Sequence, residues 1–594
     1  MVMGPGFYPR DPYNPAMVIR ARSPRFLFPL LIVVAGLLGS SRGRAQTAPD
    51  RATGPFVARG EVVSVTNLDV VVIDGKGNRV TGLKKEDFVV VEDNLEQVVT
   101  NFSPIEQGKV ILPVEEAPAT EPPARPAPAP APPPPPASTP RTRIVIFIDN
   151  LHLAPFNRNR VLRNVEEFVR DSVKDNVEGM IVVWNHSLKI RRKFTNDGRD
   201  LSDVLRQIEE ESALGQQILS DRRDVIQAID DSTTADQAAS RVRSYCQALD
   251  NDLTFTIEAM KTTIDQLAGV DGRKIMIHVS DGLPQSPGAE LWQYISDKYR
   301  DGNSHTTALF EFDRTTKYLS IVQAANASGV SVYAIDASGL QVDSNVSAET
   351  RTMGQRVDTF LERNNLQAML NLIAEETGGE AILNRNNVLV ALKNIEKDYT
   401  SYYSIGYRSI RTGLDRPHKV DVKLKQKQKG FTVRARRSYL EKGVETKVRE
   451  GVMSALFFPR DDNPLAVGLE VGKAVPAGGE NFAVPVEIRI PYSRIAMLPE
   501  GSTVRGRVVF YFVVIDSAGK QSELTTQPVP IELDAKKFEA LARKDYVYDV
   551  KLLMIPGGQK LSFAVRDDVT NQVSYLQRSV FISAFSGEAS PPRK

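Results

Sequence analysis

The sequence predicts a doubly wound, mostly parallel α/β sheet, flanked by small β modules and followed by a C-terminal β-sandwich. Three apolar runs carry the first part of that prediction: 143–153 (RIVIFIDNLHL), 274–281 (KIMIHVSD) and 330–336 (VSVYAID), each with an aspartate where a strand would give way to a loop. Continuous β-branched runs fit strands buried on both faces, and the helical patterns between them supply the crossovers of a parallel sheet. In such sheets ligands sit outside the carboxyl ends of the strands, where Asp149 and Asp281 would lie.

Taken in order, Arg20, Arg22 and Arg25 precede the apolar core 26–38, and Gly43-Arg44-Ala45 places small residues before Gln46. This is the pattern of an export signal over 1–45, with an upstream extension before Met17. The core is too short for a comfortable bilayer span, so no stable span is expected after cleavage. Residues 55–110 read as a small β module, with strands at 62–73 and 88–91 and a turn at Asp74-Gly75-Lys76-Gly77. Residues 113–140 are rich in proline and alanine, and as polyproline II at about 3.1 Å per residue this exposed tether would span on the order of 80 Å.

The α/β domain occupies 141–410. A helix at 157–173, strands at 180–184 and 188–194, and a helix from Asp200 continue the alternation. An insertion at 209–251 follows, charged, helix-forming and free of proline, with Gly215 as its only break. It reads as a solvent-facing elaboration; a lid or docking arm over the ligand edge is the functional alternative. Helices at 315–328, 365–377 and 388–397 and a strand at 380–383 complete the domain. A β extension is expected at 411–450, after the tyrosine-rich strand 399–407. The segment 460–585 has short alternating strands with turns at Ala477-Gly478-Gly479, 516–519 and Pro556-Gly557-Gly558, the pattern of an antiparallel, immunoglobulin-like sandwich.

Composition narrows the function. With 75 Lys and Arg against 73 Asp and Glu, the charge balance gives no support for nucleic-acid binding. The basic stretch 425–437 alternates as a solvated strand face would. Cys246 is the single cysteine, which excludes an intrachain disulfide and leaves each unit to its own apolar core. No enzyme is expected: the one Gly-x-Ser-x-Gly match, Gly39 to Gly43, falls in the signal segment, and neither a His-Glu-x-x-His helix nor a phosphate-cradling glycine loop is present.

From Arg141 to Tyr407 the chain resembles the von Willebrand factor A family, on the strand ending in Asp149, on Ser280-Asp281-Gly282 and on VYAID. The segment GLKKEDFVVVEDNLEQVVTNF resembles that preceding the A domain in exported bacterial, especially acidobacterial, proteins described as VWFA-related. The resemblance implies adhesion or binding, with Mg²⁺ or Mn²⁺ held by an Asp-x-Ser-x-Ser loop, a threonine and a second aspartate. Here Leu151 and Leu153 stand at the hydroxyl positions, and leucine donates nothing to a hard cation. The metal set that remains is Asp149, Asp281 and either Thr254 or Thr256. The expectation is therefore no cofactor, or Mg²⁺ or another divalent cation held weakly; His152 and His278 would suit Zn²⁺ instead. The candidate ligand edge is Asp149, Asn150, His152, Ser280 and Asp281, facing an extracellular or envelope protein or a surface glycan. The alternative is a structural or assembly scaffold of the cell envelope.

Overall fold

A computed structural model describes residues 65–111, 141–300, 307, 310–340, 357–409, 415–426, 430–460 and 462–583. The expected export signal and the proline-rich tether lie outside the described residues.

Before the α/β domain come β1 (Val65–Ile73), β2 (Phe88–Glu92), β3 (Leu95–Gln97), β4 (Val99–Glu106) and β5 (Lys109–Val110). The domain itself begins with β6 (Thr142–Asp149), α1 (Pro155–Ser172), β7 (Val177–Trp184), β8 (Leu188–Thr195) and α2 (Gly198–Glu210). It continues through α3 (Gly215–Asp231), α4 (Ala235–Gln266), β9 (Arg273–Ser280), α5 (Ala289–Tyr299), α6 (Thr315–Ser328) and β10 (Val330–Asp336), and closes with α7 (Thr359–Glu376), β11 (Ala381–Ile382) and α8 (Leu389–Thr400). Its six strands are ordered β11-β10-β9-β6-β7-β8. All neighbours are parallel except the edge strand β8, which runs antiparallel to β7. Period-two alternation divides β6 between two cores: Ile144, Ile146 and Ile148 pack with α1, α2 and α8, while Val145 and Phe147 pack with α4, α6 and α7. Both faces are thus covered, which is why these strands read as unbroken apolar runs.

Beyond the domain lie β12 (Tyr402–Arg408), β13 (Arg416–Leu424), β14 (Thr432–Arg434), β15 (Ser438–Glu441) and α9 (Val444–Ala455). Here the structure corrects the sequence reading. The module at 55–110 and the extension at 411–450 are not separate. β1 pairs with β12 and β14, and β2 pairs with β13, giving sheets ordered β14-β1-β12-β4-β5 and β15-β13-β2-β3 around one core that holds Leu68, Val70, Phe88, Tyr403, Ile405, Tyr407 and Val420. A three-residue strand such as β3 and a two-residue strand such as β5 have too little ladder to persist alone, so each half needs the other. Arg79 Nε donates to Asp398 Oδ1 at 2.8 Å and Tyr333 OH to Asp398 Oδ2 at 2.9 Å, while Arg434 also pairs with this fully buried carboxylate.

The C-terminal part contains β16 (Gly468–Val471), β17 (Val475–Pro476), β18 (Phe482–Pro491), β19 (Leu498–Glu500), β20 (Thr503–Asp516), β21 (Thr525–Asp534), α10 (Ala535–Leu541), β22 (Asp545–Met554), β23 (Gly557–Asp567) and β24 (Val573–Ile582). These strands form two antiparallel sheets that share one core, with Val484, Val486 and Ile488 of β18 packed with Phe510, Phe512 and Phe563 of the other sheet. Helix α9 covers the outer face of β20, β23 and β24 through Val448 and Val452. The same helix meets the α/β domain, where Gly269 N donates to Ser454 Oγ at 2.9 Å and a Cβ on Gly269 would fall 2.5 Å from Glu450 O.

This interleaving predicts that a tryptic nick after Arg141 leaves both fragments co-eluting on native size exclusion. Asp398→Ala, which strands Arg79 and Arg434, should lower unfolding stability by about 3–5 kcal/mol and release the N-terminal fragment from the nicked chain. Free separation of the wild-type fragments without denaturant would refute the arrangement.

Candidate functional site

The carboxyl edge of the sheet is closed by buried polar contacts. Asp149 ends β6 with no exposed surface, and its Oδ2 lies 2.8 Å from His152 Nδ1 and accepts the Ser280 hydroxyl at 3.1 Å. Burial alone would raise the Asp149 pKa, but the neighbouring imidazolium outweighs it and holds the carboxyl below its usual value. Burial likewise works against protonation of His152, and the Asp149 charge overcomes it, so the imidazole is raised. The two form a buried ion pair.

Asn150 is also fully buried. Its side chain donates to Ser212 O at 2.9 Å and accepts from Arg158 Nη1 at 2.8 Å. Arg158 is 1% exposed, and its Nη2 donates to the carbonyls of Glu209 and Glu211 at 2.9 and 2.7 Å. A cation so placed fixes the start of the helical insertion against the loop after β6. Two backbone bonds finish the closure, Leu214 N to Asn150 O at 3.0 Å and Gly215 N to Leu153 O at 3.1 Å. A Cβ on Gly215 would meet Leu153 C at 2.5 Å, so only glycine allows the approach. The insertion is therefore not simply solvent-facing: α3 and α4 share with α5 a core of Ile229, Val242, Cys246, Leu291 and Trp292 beside this edge.

Asp281 follows β9. Its Oδ2 accepts from Ala154 N at 2.8 Å and Asn157 Nδ2 at 3.0 Å, whereas its Oδ1 is buried with no hydrogen-bond partner. Burial, with the Asp336 charge adding to it, pushes this carboxyl up to about 7 against those two donors.

These residues do not fit the metal that the family resemblance implies. Leu151 and Leu153 are buried in the apolar cores on opposite faces of the sheet and present no oxygen. Neither threonine stands in a loop beside the aspartates; both lie inside α4, a helix of 32 residues that runs unbroken because 235–266 contains no glycine or proline. Thr254 Oγ1 donates to Asp250 O and accepts from Lys317 Nζ, each at 2.7 Å, so an ammonium occupies the side a cation would need. Thr256 Oγ1 donates to Asp252 O at 3.0 Å and accepts the Trp184 indole at 2.9 Å. His278 is buried inside β9 with both ring nitrogens unpartnered and its ring 5.7 Å from Phe147, and burial brings its pKa down to about 4. It packs as a neutral core side chain.

Among the described residues, the one set of three carboxylate and imidazole groups whose ligating atoms lie within 4.8 Å of one another is Glu92, Asp93 and His418 in the β module. His418 Nδ1 is 2.9 Å from Asp93 Oδ2 and 3.4 Å from Glu92 Oε1, and Glu92 also accepts from Tyr439 OH at 3.1 Å. This group escaped the sequence reading because Glu92 and Asp93, at the end of β2, meet a histidine on β13 that is 325 residues from Asp93.

No protein-family model and no curated protein matches the chain. Solved structures do match, at low similarity. An aerotolerance-related membrane protein from Bacteroides fragilis is 14% identical, with 44% of this chain and 98% of that one covered and a TM-score of 0.22. The BatB protein of Bacteroides thetaiotaomicron is 15% identical over 43% and 96%, with a TM-score of 0.20. Manganese-loaded TRAP protein of Plasmodium vivax is 10% identical over 50% and 94%, also with a TM-score of 0.20. The fold assignment rests on the strand order and direction given above.

Two outcomes follow for this edge. Unfolded Asp281 loses its proton near the ordinary carboxylate value of about 4, but in the fold it keeps the proton to about pH 7. Ionising it in place costs stability, and the loss develops as pH rises from about 4 through 7. Asp281→Asn should thus gain on wild type by a few kcal/mol between pH 4 and pH 8 in urea denaturation; a constant difference across that window would count against the assignment. Millimolar Mg²⁺ should add less than about 1 kcal/mol to the stability of the full chain, since stabilisation follows RT ln(1 + [L]/Kd). A larger rise in melting temperature, abolished in Asp149→Ala, would restore a metal site.

Proposed function

We propose that this is an exported, non-enzymatic binding protein of von Willebrand factor A-like type, recognising an extracellular or envelope protein through the rim of its closed sheet edge. One observation carries the reading. Phe156, Leu340 and Phe360 are large apolar side chains with 76%, 60% and 66% exposure, Phe156 and Phe360 in the first turns of α1 and α7 and Leu340 in the loop after β10, all at the carboxyl edge of the sheet. The Arg160 guanidinium lies 5.7 Å from the Phe156 ring and donates to Ala337 O, three residues before Leu340. Phe360 opens α7, whose Leu366 O accepts from Leu283 N at 3.0 Å, two residues after Asp281. Exposed aromatic side chains are favourable contact points for a protein partner.

Because Asp149, Asn150 and Ser280 are buried, the rim takes the contact role and the carboxylates hold the edge in shape. Export rests on the arginine-flanked apolar core before Gln46. The two C-terminal sheets are read as a β-sandwich that supports the domain. A scaffold is the second reading, since α9 and the paired β module bind the α/β domain into a larger body.

Pull-down from cell-envelope extract with the full chain, in Mg²⁺ and in EDTA, separates these readings. The captured protein should be the same under both conditions, and Phe156→Ser with Phe360→Ser should lower its recovery about tenfold. Capture that needs Mg²⁺ would overturn the metal-independent mode. Partners retained at wild-type level by the double variant would leave the scaffold reading.

A further inference from the structure

At the opposite end of the sheet, where β9 and β10 begin, the paired β module and the α/β domain enclose a cleft of about 490 Å³. Small-molecule sites commonly occupy roughly 300–1,000 Å³. Arg273, Lys274 and Arg436 line it together with Asp69, so three cations face one carboxylate. Asn67 and Tyr402 add a polar and an aromatic wall.

Arg273 is only 8% exposed, yet its Nε and Nη1 have no hydrogen-bond partner, Asp69 Oδ2 standing 3.6 Å from Nε. Its guanidinium lies 4.1 Å over the Tyr402 ring, which holds the plane of the group while leaving Nε and Nη1 without a hydrogen bond. Arg436 Nη2 donates to Asn67 O at 2.5 Å, and its Nε is likewise buried without a partner. Lys274 Nζ gives one proton to Val270 O at 2.8 Å and has two more to offer. A Cβ on Gly329 would fall 3.5 Å from Arg436 Nη1 and 4.0 Å from Lys274 Cε, so these two side chains converge on one spot.

Buried guanidinium donors left unpaired cost free energy, and native proteins rarely tolerate several together. An oxyanion offers what is missing: two acceptors at the spacing of a guanidinium fork, with negative charge that the lone Asp69 does not supply. We propose that this cleft binds a small oxyanion, a carboxylate or a phosphate group, held by Arg273 and flanked by Lys274 and Arg436. Because its walls come from β1, β4, β9, β10 and β12, a bound anion would also bridge the β module and the α/β domain.

Isothermal titration of the full chain with sodium phosphate and, separately, with sodium succinate, against sodium chloride of matched ionic strength, tests the proposal. Saturable binding in at least one arm, beyond the chloride control, is expected; a phosphate-only response assigns a phosphate ligand, and a succinate-only response a carboxylate. Arg273→Gln should weaken binding about tenfold, one ion-paired hydrogen bond's worth. Asp69→Asn keeps all three cations, removes the competing charge and should tighten binding severalfold, a gain that misfolding cannot imitate. Absence of saturable heat in both arms, or affinity that neither falls in the first variant nor rises in the second, overturns the site.

Discussion

The arrangement of this chain depends on one buried carboxylate. Asp398, at the end of α8, has no exposed surface and binds side chains from three parts of the sequence: Arg79 before the α/β domain, Tyr333 within it and Arg434 after it. Taking a carboxylate and two guanidinium groups out of water is expensive unless the geometry satisfies each of them. The balance is met only when β1, β10 and β14 are all in place. The pairing therefore specifies which segments meet, a task that non-directional apolar burial performs poorly.

Much of the α/β domain was legible because the forces that shape it act locally. β6, β9 and β10 announce themselves as apolar runs, and Ser280 and the aspartates at the strand ends fall where the sheet edge was expected. What lay outside local pattern was lost. Arg79 and Asp398 are 319 residues apart, and nothing near either residue marks the other. The threonines show the converse error: Thr254 and Thr256 looked like loop ligands beside TIEAM, but the absence of glycine or proline lets α4 run straight through them. The role of Arg158 was equally invisible, since one of four arginines on α1 gives no hint that the carbonyls of Glu209 and Glu211 and the side chain of Asn150 await it.

The closed edge shows how a ligand-edge framework becomes an internal joint. Leu151 and Leu153 enter the two apolar cores, and the carboxylates that remain turn inward to His152, Ser280, Ala154 and Asn157. The helical insertion then seals the loop through Asn150 and Gly215. Apart from Asp281 Oδ1, the carboxylate oxygens find partners within the fold, and the geometry that would meet a hard cation is spent on holding helices α1 and α3 against the sheet.

The partnership of β1 with β12 also bears on how the chain is made. A ribosome delivers β1 to β4 early, and their ladder partners β12 to β14 only after the whole α/β domain has been synthesised. Until then the first strands present open hydrogen-bonding edges and apolar side chains such as Leu68, Val70 and Val90, a state prone to pairing with other chains. Native pairing must also close a loop spanning most of the protein, which slows folding. A chain built this way would benefit from a holding chaperone during synthesis, one that grips extended apolar strands and lets go once residue 434 has emerged.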